Sequence, residues 1–204
     1  MRESILPIIA GVVLLGAAGI ADALAQQPQT VRVRGAIEKV DGNTVVVKAA
    51  DGADVTLTLT ANAQIVGVVK ASLADIKAGS FVGSAAMPQP DGSQKALEVH
   101  IFAESQRGTG EGHRPYTVPG STITNGTVGD MVTATGGNTL TVKYKGGEKT
   151  IVVPPEVPIV RYEVGDRGEL KPGVHVTALN AVKKEDGSIE APRLNVGRDG
   201  LVPQ

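Results

Sequence analysis

Asn43-Thr-Val-Val-Val-Lys48 returns as Asn138-Thr-Leu-Thr-Val-Lys143, and that recurrence decides how the chain is read. Working outward, Asp75-Ile-Lys-Ala-Gly79 matches Glu169-Leu-Lys-Pro-Gly173, and Asp91-Gly-Ser93 matches Asp186-Gly-Ser188. Residues 35–101 and 126–196 therefore read as two copies of one unit, since self-similarity at this spacing marks a module copied whole. A copied module names an architecture. It does not name a reaction.

The copied segments alternate with period two. Val31, Val33, Gly35 and Ile37 fall on one face, and Arg32, Arg34, Ala36 and Glu38 on the other, as in a half-buried strand. Asp41-Gly42 and Asp51-Gly52 part apolar-rich runs as hairpin turns do. Residues 44–48 and 55–59 are then the second and third strands, and 64–69 prolongs the sheet. Ser72-Leu-Ala-Asp75 has the form of a capping box and Gly79 a stop, which predicts one or two helical turns over 72–78. Strands over 81–87 and 96–102 complete the unit.

Three strands, a short helix and two strands is the order of an OB-like barrel. The reading is an all-β chain of two tandem small OB-like β-barrels, at 31–102 and 122–197. Each carries one short helix between its third and fourth strands. A small β-sandwich is the alternative that the same alternation permits. In the second copy Pro154-Pro155 follows the third strand, where the chain must leave the ladder. At about 70 residues each copy is near the size where a lone core is marginal, so a fixed interface between the copies is expected.

Arg2, an apolar run over 5–20 and Ala23-Leu-Ala25 supply a positive start, a hydrophobic stretch and a small-residue cleavage site. Residues 1–25 read as a signal peptide. The apolar run is shorter than the roughly 20 residues of a spanning helix, so no transmembrane span is expected after cleavage. The location that follows is periplasmic or secreted. The 204-residue chain has no cysteine, which removes disulfides, a thiol nucleophile and thiolate metal sites. A net charge of −1 and few aromatics argue against nucleic acid as a partner, because that site needs clustered cations and stacking platforms.

Residues 103–121 join the copies and are rich in Gly and Pro, too irregular for strand or helix. Their centre, Glu111-Gly-His-Arg-Pro-Tyr116, is not the composition of a tether. Glu111, His113, Arg114 and Tyr116 are the candidate residues for binding or for docking one barrel on the other. Glu111 and His113 share a face in extended chain, and with His100 or His175 would offer nitrogen and oxygen to a divalent metal. Neither histidine is duplicated, however: His175 aligns with Phe81, and His100 with Asn195.

Other chemistry has less support. The Asp-Gly pairs lack the spaced oxygen ligands and closing Glu of a calcium loop. Asp75 with Lys77 and Glu169 with Lys171 read as solvated helix ends. No Ser lies in a Gly-x-Ser-x-Gly elbow, no Gly-rich loop ends in Lys-Ser or Lys-Thr, and Ser121 near His113 lacks an orienting carboxylate. No catalytic residue and no cofactor is predicted.

The turn-rich repeat, Glu111-Gly-His-Arg-Pro115, Pro119-Gly-Ser-Thr122 and Tyr144-Lys-Gly-Gly-Glu-Lys149 resemble an exported bacterial family known as a domain of unknown function. That family often has Trp where this chain has Tyr116. The resemblance implies tandem OB-like β-barrels in the periplasm, with no activity or catalytic residue to carry over. The expectation is a periplasmic binding or scaffolding protein for an unknown protein or small molecule, not an enzyme. The alternative is a metal-handling accessory protein using Glu111 and His113.

Overall fold

The computed structural model describes residues 29–134 and 137–203; the expected signal peptide lies outside them, as do the middle residues of the first hairpin in the second half. The chain is all-β. In order it forms β1 (Gln29–Asp41), β2 (Thr44–Ala49), β3 (Asp54–Ala71), β4 (Phe81–Pro88), β5 (Gln94–Ile101), β6 (Gly112–Pro115), β7 (Thr122–Ala134), β8 (Gly137–Tyr144), β9 (Gly147–Val153), β10 (Ile159–Val164), β11 (His175–Lys183) and β12 (Ile189–Gly197). No helix among the described residues is long and apolar enough to cross a membrane.

All of these strands but β6 form one hydrogen-bonded path, β12-β11-β1-β2-β3-β10-β5-β4-β7-β8-β9, with two further pairings that close it. β12 returns to pair parallel with β3, and β5 pairs parallel with β9. Two β-barrel rings result: β1, β2, β3, β12 and β11, then β7, β8, β9, β5 and β4. Each ring takes three strands from one half of the chain and two from the other. This differs from the expectation that 31–102 and 122–197 each close on themselves. Gly35 pairs with Val176 across β1 and β11, and Gly83 with Asn125 across β4 and β7.

Each ring has its own aliphatic core. Ile37, Val45, Val47, Leu57, Leu194 and Val196 fill the first, and Val82, Val99, Val128, Leu140, Val142 and Ile151 the second. Inward side chains recur at every second residue, so the alternation read from sequence is the core itself. A third cluster lies where the rings meet: Val66, Val68, Phe81, Phe102, Val160 and Tyr162. Phe102 stands edge-on to Tyr162 at 5.5 Å and tilted to Phe81 at 5.2 Å. Such pairs add to what apolar burial alone contributes.

The crossing is built by β3, which runs on past the ring so that its end pairs antiparallel with β10. In the second half the corresponding stretch is interrupted after Val153 by Pro154-Pro155, and β10 is a separate strand. The expected helices are shorter than read. Leu73–Asp75 and Arg167–Glu169 are single 3-10 turns, because Ile76 and Leu170 already have extended backbone. Their caps are formed as the residues suggest. Ser72 donates to Asp75 Oδ2 from its N–H and its hydroxyl, both at 2.9 Å, and the Asp166 N–H donates to Glu169 Oε1 at 3.1 Å.

Glu169 is more than a solvated helix end. Arg198 donates to both its oxygens, from Nε and Nη2 at 2.9 Å each, and also to Glu163 and the Val164 carbonyl. This network ties the end of β12 to β10. It raises the Arg198 guanidinium above its ordinary value and holds the Glu169 carboxyl below the usual carboxylate range.

Candidate binding site

The connecting segment is not structureless. Residues Gly112–Pro115 form β6, which pairs antiparallel with the start of β7: His113 faces Thr124, and Arg114 faces Ile123. That stretch of β7 pairs with β4 on its other side, and β8 joins β7 only from Thr127 onward. The segment therefore adds a strand at an edge the ring leaves open, and its side chains obey period two.

That periodicity separates the candidate residues. Glu111 and His113 share a face, as their spacing predicts, and it is the face toward the β8–β9 hairpin. Glu111 Oε1 accepts from the Lys145 N–H at 2.9 Å. His113 Nδ1 bonds the Thr124 hydroxyl at 2.8 Å, and the ring stacks on Tyr144. Burial, with Lys149 nearby, pulls the His113 imidazole below its ordinary value. Thr124 is fully buried, so this pair offers no nucleophile to solvent. Ser121 donates instead to the Val118 carbonyl at 2.6 Å. Among the described residues no group of three His, Asp or Glu could hold a metal ion.

Arg114 and Tyr116 take the opposite face and line a cavity of about 460 Å3. This lies within the roughly 300–1,000 Å3 typical of small-molecule sites. Its walls come from both rings: Arg32 on β1, Asn180 on β11 and Arg193 on β12 face His100 on β5 and Asn125 on β7, with Tyr162 of β10 between them. Two irregularities shape the first wall. The β1–β11 register shifts between Val31 and Val33, opposite Leu179 and Asn180, and Asn180 has a φ of 57°. The β12–β3 register shifts between Ala191 and Arg193, at Pro192. Bulges re-aim side chains, and proline in a strand belongs at one.

The opposite wall depends on a missing side chain. A Cβ on Gly83 would lie 2.0 Å from His100 Nε2 and 2.5 Å from Asn125 Oδ1. Glycine there lets both polar groups lie against the β4 backbone. His100 stacks on Tyr162 at 4.7 Å, with Nδ1 3.7 Å from Glu98 Oε1. Asn125 Nδ2 donates to the Thr109 carbonyl at 3.1 Å, which pins the connecting loop. Asn125 Oδ1 and His100 Nδ1 are buried without a hydrogen-bond partner.

Arg193 carries the electrostatics. Its guanidinium lies over the Tyr162 ring at 5.3 Å, and Nε donates to Asn195 Oδ1 at 2.9 Å. Burial lowers the Arg193 guanidinium from its ordinary value and pushes the Tyr162 phenol above its own. Of the residues read from sequence, the cavity unites His100, Arg114 and Tyr116, and excludes Glu111, His113 and His175. Sequence reasoning missed Arg32, Asn125, Tyr162 and Arg193. The one available signal was Pro192, a proline inside an alternating strand.

Comparison with protein-family models, with curated proteins and with solved structures finds no match to this chain.

Proposed function

We propose that this chain is an exported binding protein, a duplicated pair of OB-like barrels that holds a small molecule in the cleft where the two rings meet. Export is read from residues 1–25, and the absence of cysteine leaves the rings to stand on aliphatic packing. One observation carries the reading: Arg114 and Tyr116, from the segment no duplication explains, close a cavity whose other walls come from both rings. Concave sites with a few convergent polar groups at module boundaries are where small ligands bind. Binding rather than turnover is the proposed role, because no hydroxyl nucleophile is hydrogen-bonded to His100 among the described residues.

The test is NMR of the labelled chain lacking residues 1–25, titrated with cavity-sized neutral, cationic and anionic compounds. Shifts gathered on Arg114, Tyr116, Asn125 and Arg193 are expected for at least one of them. Shifts confined to the outer hairpins, or none at all, overturn the reading.

A further inference from the structure

We infer that the cleft takes a small hydroxylated anion, a molecule of sugar size bearing a carboxylate or a phosphate. The inference rests on the proposed binding role and adds to it the chemistry of the occupant.

Charge is the first argument. Arg32, Arg114 and Arg193 line the cavity, and among the described residues no Asp or Glu does. The chain as a whole carries a net charge of −1, so this one-signed wall is a local arrangement. Arg193 is half-buried and spends one of its five N–H donors, on Asn195. Arg114 spends Nη1 on the Gly110 carbonyl at 2.7 Å. Neither these two nor Arg32 has a carboxylate within ion-pair distance among the described residues. A partly desolvated guanidinium without a counter-charge is costly, and a bound anion removes that cost. Glu98 approaches His100 Nδ1 at 3.7 Å and does not line the cavity.

The second argument is the polar wall beside these guanidinium groups. Asn125 is 5% exposed, and its Nδ2 is committed to Thr109, which fixes the orientation of the amide. Its Oδ1, an acceptor without a partner, is buried against Gly83 beside His100, so the polar groups offered to a ligand are those of Thr30, Thr109, Thr117 and Asn180 along the same cavity. A bare anion only accepts, whereas hydroxyl groups donate as well and can pair with both kinds of polar group on that wall. Tyr116, half-buried on the same wall, gives a flat face for the apolar side of a sugar ring.

Calorimetry on the chain lacking residues 1–25 tests this with glucuronate, glucose 6-phosphate, glucose, glucosamine and inorganic phosphate. Glucuronate or glucose 6-phosphate is expected to bind at least tenfold more tightly than glucose, and the better of the two tells carboxylate from phosphate. Arg32→Gln, which alters an exposed side chain, weakens that binding at least threefold, and Arg193→Gln weakens it more with the fold retained by circular dichroism. Equal binding of glucose or glucosamine overturns the inference. So does inorganic phosphate binding as tightly as glucose 6-phosphate, indifference to both substitutions, or no binding of either sugar anion at millimolar concentration. If NMR places a neutral compound in the cleft while the anions stay out, the binding role stands and this inference falls.

Discussion

Val68 and Tyr162 lie directly opposite each other where β3 and β10 pair. In the sequence correspondence that sets Asp75 against Glu169, Val68 is the counterpart of Tyr162, so the crossing pairs a position with its own equivalent. The same relation recurs around it. Ile65 lies beside Leu194 in β12, as Ile159 lies beside Val99 in β5. Two halves related in this way exchange strands reciprocally, and the cleft lined by Tyr162 sits at the crossing.

Exchange makes each ring depend on both halves. Residues 29–108 and 109–203, prepared separately, are expected to give no cooperative monomeric unfolding transition, and to regain one when mixed. Circular dichroism with size-exclusion chromatography checks this; a half that folds alone as a monomer contradicts it.

Gly83→Ala places a methyl group against His100 and Asn125, inside the contact distances real side chains show. Overpacking of this kind costs about 1–3 kcal/mol, and urea denaturation should report a loss in that range. The variant should also lose affinity for whatever occupies the cleft. A neutral effect on both would mean the wall yields, contrary to its packed position.

Arg198→Gln removes the bonds to Glu169, Glu163 and the Val164 carbonyl. A loss of about 1–2 kcal/mol at neutral pH is expected for a half-exposed, bidentate network. Arg198 holds the Glu169 carboxyl below its usual range, against burial. A depressed carboxylate stabilises the fold above its unfolded value of about 4.3, and that contribution fades as pH falls through the folded value. The stability gap between wild type and variant should therefore be level from pH 8 to 5 and narrow below about pH 4.3. A gap that widens on acidification contradicts the assignment.

His113 carries the opposite charge type with the same acid sensitivity. Burial, then Lys149, favours its neutral form, so the unfolded chain binds the proton more readily. Stability from this group is complete above about pH 6.5 and declines as pH falls below it. NMR titration should place its midpoint below 6.5, and Lys149→Gln should raise it only part of the way, since burial is the larger cause. A midpoint above 6.5 would contradict the buried, Thr124-bonded ring.

Strands, turns and caps were legible because each is a local preference: alternation through Val45 and Val47, Asp-Gly at 41–42, Ser72 with Asp75. Strand exchange was not. Alternation says which face of β1 is buried, not whether β4 or β11 lies beside it, and similar halves present similar partners at both places. The same limit hid the site. Arg114 and Tyr116 stood out against a Gly-rich segment, whereas Arg32 read as one residue of an alternating face and Arg193 drew no reading; both lie at strand irregularities and line one cleft. Tyr162 gave no sign of facing His100, because that contact depends on how the halves cross.

The most direct measurement is the set of backbone nuclear Overhauser contacts made by β1. Exchange predicts cross-strand contacts from Arg34 to Thr177 and from Gly35 to Val176. Contacts from those residues to β4 in place of β11 would mean that each half closes its own ring, and would dissolve the cleft described above.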